Sequence, residues 1–232
     1  RMQELHKLYD KYNNYEGINN IKTINDNAGI QPVKVEKDLF ELIVFSKNLN
    51  LNVANETNIA LGSVLKIWSE YRDEAEANPD NAKIPPMEDL LEANKHTDIN
   101  KVIVDADNST VFLEDPLMSL DVGAVAKGYA TELVAKEIEA AGFTSAIISA
   151  GGNIRTIGKP LDGIRERWGV GIQNPDRFTD NTESNVLETV FINNASVVSS
   201  GDYQRFYMYG DKRIHHLIDP KTLMPGDYFR AV

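Results

Sequence analysis

The spacing of apolar residues divides the chain into a helical first part and a strand-rich second part. Residues 36–51 and 57–71 carry apolar side chains every three to four positions, which is typical of amphipathic helices on a core. From Lys101 onward, short apolar runs alternate with polar turns, as in residues 101–105, 110–114, 145–150, 154–157, 168–173, 186–193, 196–199, 204–209 and 212–218. This order predicts an α+β fold with mostly antiparallel sheets and with helices packed on one side.

Turn-forming residues predict where these elements end. Residues 2–26 read as two helical segments broken near residues 12–15, whose tyrosines are explained equally well as surface aromatics. Residues 73–86, rich in Asp, Glu, Asn and Pro, are expected to form a solvated loop before a short helix that begins at Pro86. The sequence Tyr209-Gly210-Asp211 predicts a tight hairpin turn.

The stretch from Asp121 to Asn153 is the first candidate for chemistry. The apolar run 117–120 predicts a strand, and Gly123 permits a sharp turn from Asp121 into a helix. Lys127 falls in the first helical turn, where the helix dipole disfavours a cation, so a bound phosphate would explain its position. The pattern of a P-loop is absent because the lysine precedes the second glycine, and close packing alone explains the glycines equally well.

Apolar side chains in this helix predict its buried face. They recur at three to four residue spacing and are Val125, Tyr129, Leu133, Val134, Ile138 and Ala141.

Composition narrows the possible ligands. The chain of 232 residues has 24 basic and 35 acidic residues, a formal charge of −11, so unspecific attraction to nucleic acid or to an anionic membrane is not expected. A phosphate would need local donors or a metal ion. The chain contains no cysteine, which excludes disulfides and thiolate catalysis, and no apolar run approaches the roughly 20 residues of a membrane helix.

Two neighbouring histidines are candidates for acid–base chemistry. His215 and His216 lie a few residues before Asp219. Adjacent side chains of a strand face opposite ways, so one histidine at most can face a given site. Which one does so stays open, and a structural role is the usual one for a single histidine.

Four motifs, taken together, resemble one protein family. DVGAVAKGYA, SAGGNIRTIG, SSGDYQRF and HHLIDPKTLMP occur in the order seen in the ApbE-type FAD:protein FMN transferases. The similarity extends upstream to TNIALGSVLKIW and LYDKYNNYEGINNI, and it therefore covers most of the chain. It implies one catalytic domain over residues 1–232 with the family's T-fold-like architecture.

The resemblance implies a transferase that uses Mg²⁺ to move FMN from FAD onto a Ser or Thr hydroxyl of an acceptor protein, releasing AMP. Such enzymes are usually extracytoplasmic and attached to the membrane only through a lipid anchor, and they bind no nucleic acid. The motifs assign FAD contacts to Tyr15, Glu56, Thr57, Asn58, Asp121, Lys127 and Ile218. They assign the carbonyl of Ala124 to the metal ion, and proton removal to His215 or His216.

Several departures from the family pattern keep alternatives open. Asn58 stands where the family often has Asp, and LMP replaces the usual TGxP after Asp219-Pro220. The family's first strand and its C-terminal metal-binding segment have no counterpart in residues 1–232, so an incomplete metal site is expected. The alternatives are a metal-dependent FAD pyrophosphatase, in which water is the nucleophile, and a flavin-binding module without turnover.

Overall fold

The computed structural model describes residues 1–176 and 185–232, and its backbone divides into two compact units. The first unit consists of Arg1–Ala126 and Arg205–Gly226. The second consists of Lys127–Gln204 and Asp227–Val232. Most of the candidate site residues therefore belong to the first unit, and Lys127 belongs to the second.

Most of the helices lie in the first unit. They are α1 (Met2–Tyr9), α2 (Ile21–Asp26), α3 (Lys37–Asn52), α4 (Gly62–Ala77) and α5 (Met87–Asn94), and α6 (Ala126–Ala140) begins where the second unit starts. The break predicted within residues 2–26 is confirmed, because α1 and α2 are separated by residues 10–20. Among residues 1–176 and 185–232, no helix is both long enough and apolar enough to cross a lipid bilayer.

The strands form small sheets in which every pair of named strands is antiparallel. In the first unit, β1 (Val33–Lys34), β2 (Val102–Asp105) and β3 (Thr110–Leu113) lie in the order β1-β3-β2. In the second unit, β4 (Ala146–Ala150), β5 (Asn153–Ile157) and β8 (Ser196–Val198) lie in the order β4-β5-β8, and β6 (Trp168–Gln173) pairs with β7 (Val186–Ile192). The predicted mixture of helices and antiparallel sheets is confirmed.

A hairpin closes the core of the first unit. Strands β9 (Phe206–Tyr209) and β10 (Lys212–His215) pair across the predicted two-residue turn, in which Gly210 has φ 57°. Tyr207 and Ile214 of this hairpin are buried with Trp68 of α4. The Tyr207 hydroxyl donates to the carbonyl of Lys83 at 2.7 Å, and burial raises its pKa to about 12. The hairpin is thereby fixed against α4 and the loop that follows it.

Each unit contains one tryptophan, bound to a backbone carbonyl. Trp68 is 5% exposed and its indole N–H donates to the carbonyl of Leu223 at 2.9 Å. Leu223 has φ 61° and is itself buried. In the second unit the indole N–H of Trp168 donates to the carbonyl of Gly158 at 3.0 Å. The bond from Trp68 ties the loop after β10 to the core of the first unit.

A buried carboxylate connects α5 to the end of β3. Asp115 lies 3.0 Å from Nδ1 of His96 and 3.1 Å from Nζ of Lys101. Burial raises the pKa of Asp115, but hydrogen bonds from His96, the Leu117 backbone and Lys101 outweigh it and lower the pKa to about 2. The carboxylate is therefore charged and neutralised inside the first unit.

Two predicted helix boundaries and one predicted strand are wrong. Helix α4 begins at Gly62 instead of Thr57, because the Asn58 side chain closes a turn by accepting from Ala60 N at 2.8 Å. The same helix continues through residues 73–77, predicted as loop, because Ala75 extends its buried face. Residues 117–121 do not form a strand, and only one parallel bridge joins Ser119 to Leu61.

The predicted ends of β10 and of the buried face of α6 also need correction. β10 stops at His215 instead of Ile218, because the backbone N–H of Leu217 donates to the side chain of His215 instead of to a neighbouring strand. In α6 the buried residues are Ala130, Thr131 and Ala135. The larger residues of the predicted face, including Tyr129 and Leu133, are only half-buried. Small side chains therefore make the inner surface of this helix.

Replacing Gly62 with alanine is expected to destabilise the protein. A Cβ at Gly62 would lie 2.1 Å from the carbonyl oxygen of Ser119, a backbone atom that cannot rotate away. Overpacking of this kind costs about 1–3 kcal/mol, which exceeds the gain of about 1 kcal/mol in helix propensity. The free energy of unfolding, measured by urea denaturation, is therefore expected to fall.

Gly128→Ala is the matched control, since it is also a helical glycine. Its added Cβ would lie 3.4 Å from Oδ1 of Asn153, an ordinary contact, so this variant is expected to be as stable as the parent or more stable. Equal stability of Gly62→Ala and the parent would show that Ser119 and Gly62 are not in close contact.

Candidate functional site

The backbone of Asp121 is held by contacts on two sides. Its N–H donates to the carbonyl of Ile59 at 2.8 Å, next to the bridge between Leu61 and Ser119. On the other side, Oδ1 of Asn25 accepts from Leu120 N at 2.7 Å and its amide donates to the Leu120 carbonyl at 3.1 Å. The Asn25 side chain thus replaces a strand as the hydrogen-bonding partner of this segment.

The carboxylate of Asp121 is fixed at both oxygens. Oδ1 accepts from the N–H of Gly123 at 2.8 Å, and Oδ2 accepts from Nζ of Lys11 at 2.6 Å. The side chains of Lys11 and Asp121 are 20% and 14% exposed. Burial lowers the pKa of Lys11, but the charge and hydrogen bond of Asp121 outweigh it and raise the pKa. Lys11 is therefore a charged ammonium group within the candidate site.

Tyr15 follows Lys11 by four residues in the chain. Its hydroxyl donates to Oδ2 of Asp10 at 2.7 Å, and this hydrogen bond raises the pKa of the phenol. Nζ of Lys7 lies 5.7 Å from the centre of its ring. Tyr15 lines an open cleft of about 360 Å³, together with Asn14, Gly17, Ile18, Asn19, Thr23, Asp26 and Asn27. A ligand that enters the cleft can contact the Tyr15 ring.

The predicted residues 56–58 form a turn before α4. Asn58 donates from its amide to the carbonyl of Thr97 at 2.8 Å, in addition to its bond with Ala60. The amide of Asn50 donates to the carbonyl of Thr57 at 3.2 Å. Glu56 points outward and its Oε1 accepts from Nζ of Lys221 at 2.8 Å, which lowers the pKa of Glu56. Asn58 thus shapes the turn, and Glu56 links it to the loop after β10.

The two histidines differ in burial, as the alternation of a strand predicts. His215 is 8% exposed, and its Nδ1 accepts from the backbone N–H of Leu217 at 3.2 Å. His216 is an exposed residue, and its Nδ1 lies 3.2 Å from the carbonyl oxygen of Arg205. A carbonyl only accepts, so Nδ1 of His216 carries a proton. The neutral rings are therefore opposite tautomers: His215 carries its proton on Nε2, whereas His216 has a free lone pair there.

The environment of His216 favours its neutral form. Partial desolvation lowers the pKa of His216, and the hydrogen bond to the Arg205 carbonyl opposes this effect. The positive charges of Arg205 and Arg72 lower the pKa further. His216 is thus a neutral proton acceptor at neutral pH.

Ile218 and the rest of the loop after β10 are held in place by backbone contacts. Ile218 is half-buried and forms an antiparallel bridge with Pro225. Asp219 donates its backbone N–H to the carbonyl of Met224 at 2.9 Å and accepts from the N–H of Leu223 at 2.8 Å. This ordered loop carries Lys221, the partner of Glu56.

Ala124 and Lys127 lie at the beginning of α6. Ala124 is exposed in the turn that precedes the helix. Lys127 is exposed too and donates from Nζ to the carbonyl of Gly151 at 3.3 Å, within the second unit. The predicted position of Lys127 in the first helical turn is confirmed.

The first unit contains oxygen atoms of the kind that magnesium binds. In the described part of the chain, no three His, Asp or Glu side chains lie close enough together to hold a metal ion. Mg²⁺ commonly binds through one or two carboxylates, waters and the phosphates of a substrate, so a larger acidic cluster is not required. The carboxylate of Asp121 and the carbonyl of Ala124 have the right oxygen chemistry. Lys11 already uses one lone pair of that carboxylate.

Direct contacts join three of the predicted segments. The turn at residues 56–59 binds Asp121 through Ile59, and it binds the loop after β10 through Glu56 and Lys221. Tyr15 is linked less directly, because its partner Asp10 precedes Lys11.

Sequence reasoning missed Lys11 and Asn25. Their partners lie 110 and 95 residues away in the chain, and no local pattern distinguishes them from other surface-prone residues.

Comparisons with known proteins agree with the arrangement of motifs. The whole chain, residues 1–232, matches the ApbE family. An FAD:protein FMN transferase of Klebsiella pneumoniae is 31% identical over 207 residues, which is 89% of this chain and 60% of that protein. A protein of the same name from Treponema pallidum is 31% identical over 217 residues, 89% of this chain and 57% of that protein. The chain thus spans about 60% of the length of these relatives.

Solved structures share the fold. The ApbE protein of Thermotoga maritima has a TM-score of 0.82 at 24% identity, over 99% of this chain and 69% of that one. The apo form of the flavinyl transferase ApbE from Pseudomonas stutzeri has a TM-score of 0.74 at 22% identity, over 97% of this chain and 65% of that one.

Asn25→Ala is expected to destabilise the protein and release the Leu120 backbone. The variant removes the partners of one N–H and one carbonyl in a part-buried setting, which costs about 1–3 kcal/mol. Urea denaturation measures this loss, and amide hydrogen exchange at Leu120 is expected to become faster. Asn19→Ala is the control, because it removes one exposed bond, to Lys34, and is expected to change stability by less than about 0.5 kcal/mol. Equal losses in the two variants would contradict this role of Asn25.

Proposed function

Because this chain belongs to the ApbE family, we propose that its protein transfers FMN from FAD to a Ser or Thr hydroxyl of an acceptor protein. The hydroxyl oxygen forms a bond to the phosphorus of the FMN half, the pyrophosphate bond breaks, and AMP leaves. Relatives named FAD:protein FMN transferase, matched over 89% of this chain, support this reaction.

The segments proposed to contact FAD are in contact with one another, and this observation supports the residue assignments. The backbone of Asp121, the turn at residues 56–59 and the loop after β10 are joined by the contacts from Asp121 to Ile59 and from Lys221 to Glu56. These segments lie far apart in the sequence, yet each carries residues proposed to contact FAD: Glu56, Thr57, Asn58, Asp121 and Ile218. Tyr15 is proposed to contact the flavin from the neighbouring cleft, and Lys127 to bind a phosphate.

The geometry favours His216 as the group that removes the proton of the attacking hydroxyl. Its Nε2 has a free lone pair and its lowered pKa keeps the ring neutral, so the proton moves from the hydroxyl oxygen to Nε2. His215 has the opposite tautomer and is buried, which suits a donor or a structural group.

We also propose that the reaction depends on Mg²⁺, held in part by the Ala124 carbonyl with oxygens of FAD. When bound, Mg²⁺ offsets the charge of the pyrophosphate, which a chain of net charge −11 otherwise repels. Asp121 is proposed to orient the nucleotide. An extracytoplasmic location and a lipid anchor outside residues 1–232 are part of the proposal and rest on the family resemblance.

The reaction is tested by incubating the protein with FAD, Mg²⁺ and an acceptor domain that contains a target threonine. We expect AMP release together with a mass increase of the acceptor that equals one FMN, measured by chromatography and mass spectrometry. AMP with free FMN and an unmodified acceptor would indicate a pyrophosphatase. Bound FAD without AMP would indicate a flavin-binding module. Omission of Mg²⁺ with chelator present is expected to stop AMP release.

His216→Ala is expected to lower the rate of AMP release by about 100-fold or more, since a general base contributes at least this much. Because its pKa is lowered, the rate of the parent is expected to fall only as the pH drops below 6.5, the ordinary histidine value. His215→Ala is the comparison: we expect a loss of stability and a smaller loss of rate. A larger rate loss in His215→Ala, or normal rates in both variants, would contradict the assignment.

A further inference from the structure

Lys11 is a mostly buried lysine that forms an ion pair with Asp121. Its ammonium group donates to Oδ2 of Asp121 at 2.6 Å and lies 4.9 Å from the centre of the Tyr12 ring. The side chain is 20% exposed, so part of it is open to an incoming molecule. Tyr12 is itself 64% exposed, so this ammonium group lies close to the protein surface.

Two negative groups meet at this position in the proposed reaction. Asp121 is a carboxylate, and FAD brings a pyrophosphate toward it. Like charges that are a few ångströms apart repel strongly where water is partly excluded. A cation that touches Asp121 removes most of this repulsion, and Lys11 is the lysine that does so.

The ammonium group of Lys11 also has an N–H donor available for a ligand. An ammonium group has three N–H donors; Asp121 accepts one of them and the Tyr12 side chain interacts with a second, which leaves one for a ligand. A phosphate oxygen is the usual partner for such a donor, because charge-assisted hydrogen bonds of this kind are short and strong. The contact with Asp121 holds the lysine in place before a ligand arrives, so little side-chain freedom is lost on binding.

We propose that Lys11 is an additional FAD-binding residue, which donates to a phosphate oxygen of FAD while it keeps the carboxylate of Asp121 in position. This role rests on the proposed function, since it requires that FAD binds at Asp121. It assigns to the segment between α1 and α2 a share in recognition of the pyrophosphate. No residue of the four motifs has this combination of positive charge and contact with Asp121.

The test is FAD binding by titration calorimetry without divalent metal, which keeps FAD intact. Lys11→Met is expected to weaken FAD binding about tenfold at about 0.1 M salt, the loss of one charge-assisted hydrogen bond. At about 1 M salt, where charges are screened within about 3 Å, the difference between this variant and the parent is expected to shrink. Lys11→Arg keeps the charge and is expected to bind FAD within about threefold of the parent.

Lys37→Met is the matched control because it makes the same charge change on the exposed face of α3. Lys37 lies 3.6 Å from Glu41 and its side chain is 82% exposed, so FAD affinity is expected to be unchanged. The melting temperature of each variant shows whether it is folded. If Lys11 only stabilises the fold, Lys11→Met would lower the melting temperature and leave the salt dependence of FAD binding like that of the parent. That result would overturn the proposal.

The outcomes separate this inference from the proposed function. If the parent binds FAD and Lys11→Met binds it equally well at low salt, the role of Lys11 is wrong and the proposed function stands. If the parent binds no FAD, the proposed function fails and the role of Lys11 fails with it. Asp121→Asn adds a further check, because a change of FAD affinity in that variant, in either direction, places the ligand near Asp121, and an unchanged affinity would contradict that placement.

Discussion

The backbone of Ser119 to Asp121 lies between two helices without belonging to a sheet, and the candidate site depends on how it is held there. The carbonyl of Ile59 and the side chain of Asn25 supply the hydrogen bonds that neighbouring strands would otherwise supply. Glycine at position 62 lets the start of α4 come close to Ser119. A shift of this segment would break all three of these hydrogen bonds, which keeps Asp121 in a defined position.

The formal net charge is −11, yet individual carboxylates of the first unit have lysine partners. Asp115 is hydrogen-bonded to His96 and paired with the charge of Lys101, and Asp121 is paired with Lys11. The surroundings of His216 are different, because the positive charges of Arg205 and Arg72 lie near its ring and favour the neutral form. The first unit thus places a lysine against both Asp115 and Asp121, and it holds positive charge close to the proposed proton acceptor.

Much of the fold follows from local patterns, whereas the site depends on contacts between distant residues. Periodicity predicted α3 and the antiparallel strands, and Gly210 predicted the hairpin turn, because these features depend on a few neighbouring residues. The start of α4 was mispredicted because the Asn58 side chain competes with the helix for the backbone N–H of Ala60.

For the histidine pair, the sequence predicts the direction of the side chains but not their tautomers. Strand alternation predicted that His215 and His216 face opposite ways, and their burial differs accordingly. Their tautomers depend on the N–H of Leu217 and the carbonyl of Arg205, which sequence alone does not place. Lys11 was missed for the same reason, since nothing near it in the chain points to Asp121.

Because the two tryptophans lie in different units, the fluorescence of each reports on one unit. Trp68 lies in the core of the first unit and Trp168 in the second, and the chain has no others. Replacing either one with phenylalanine leaves an emission signal that belongs to a single unit. Quenching of that signal by a flavin, which absorbs in the range of tryptophan emission, then shows which unit a bound flavin approaches.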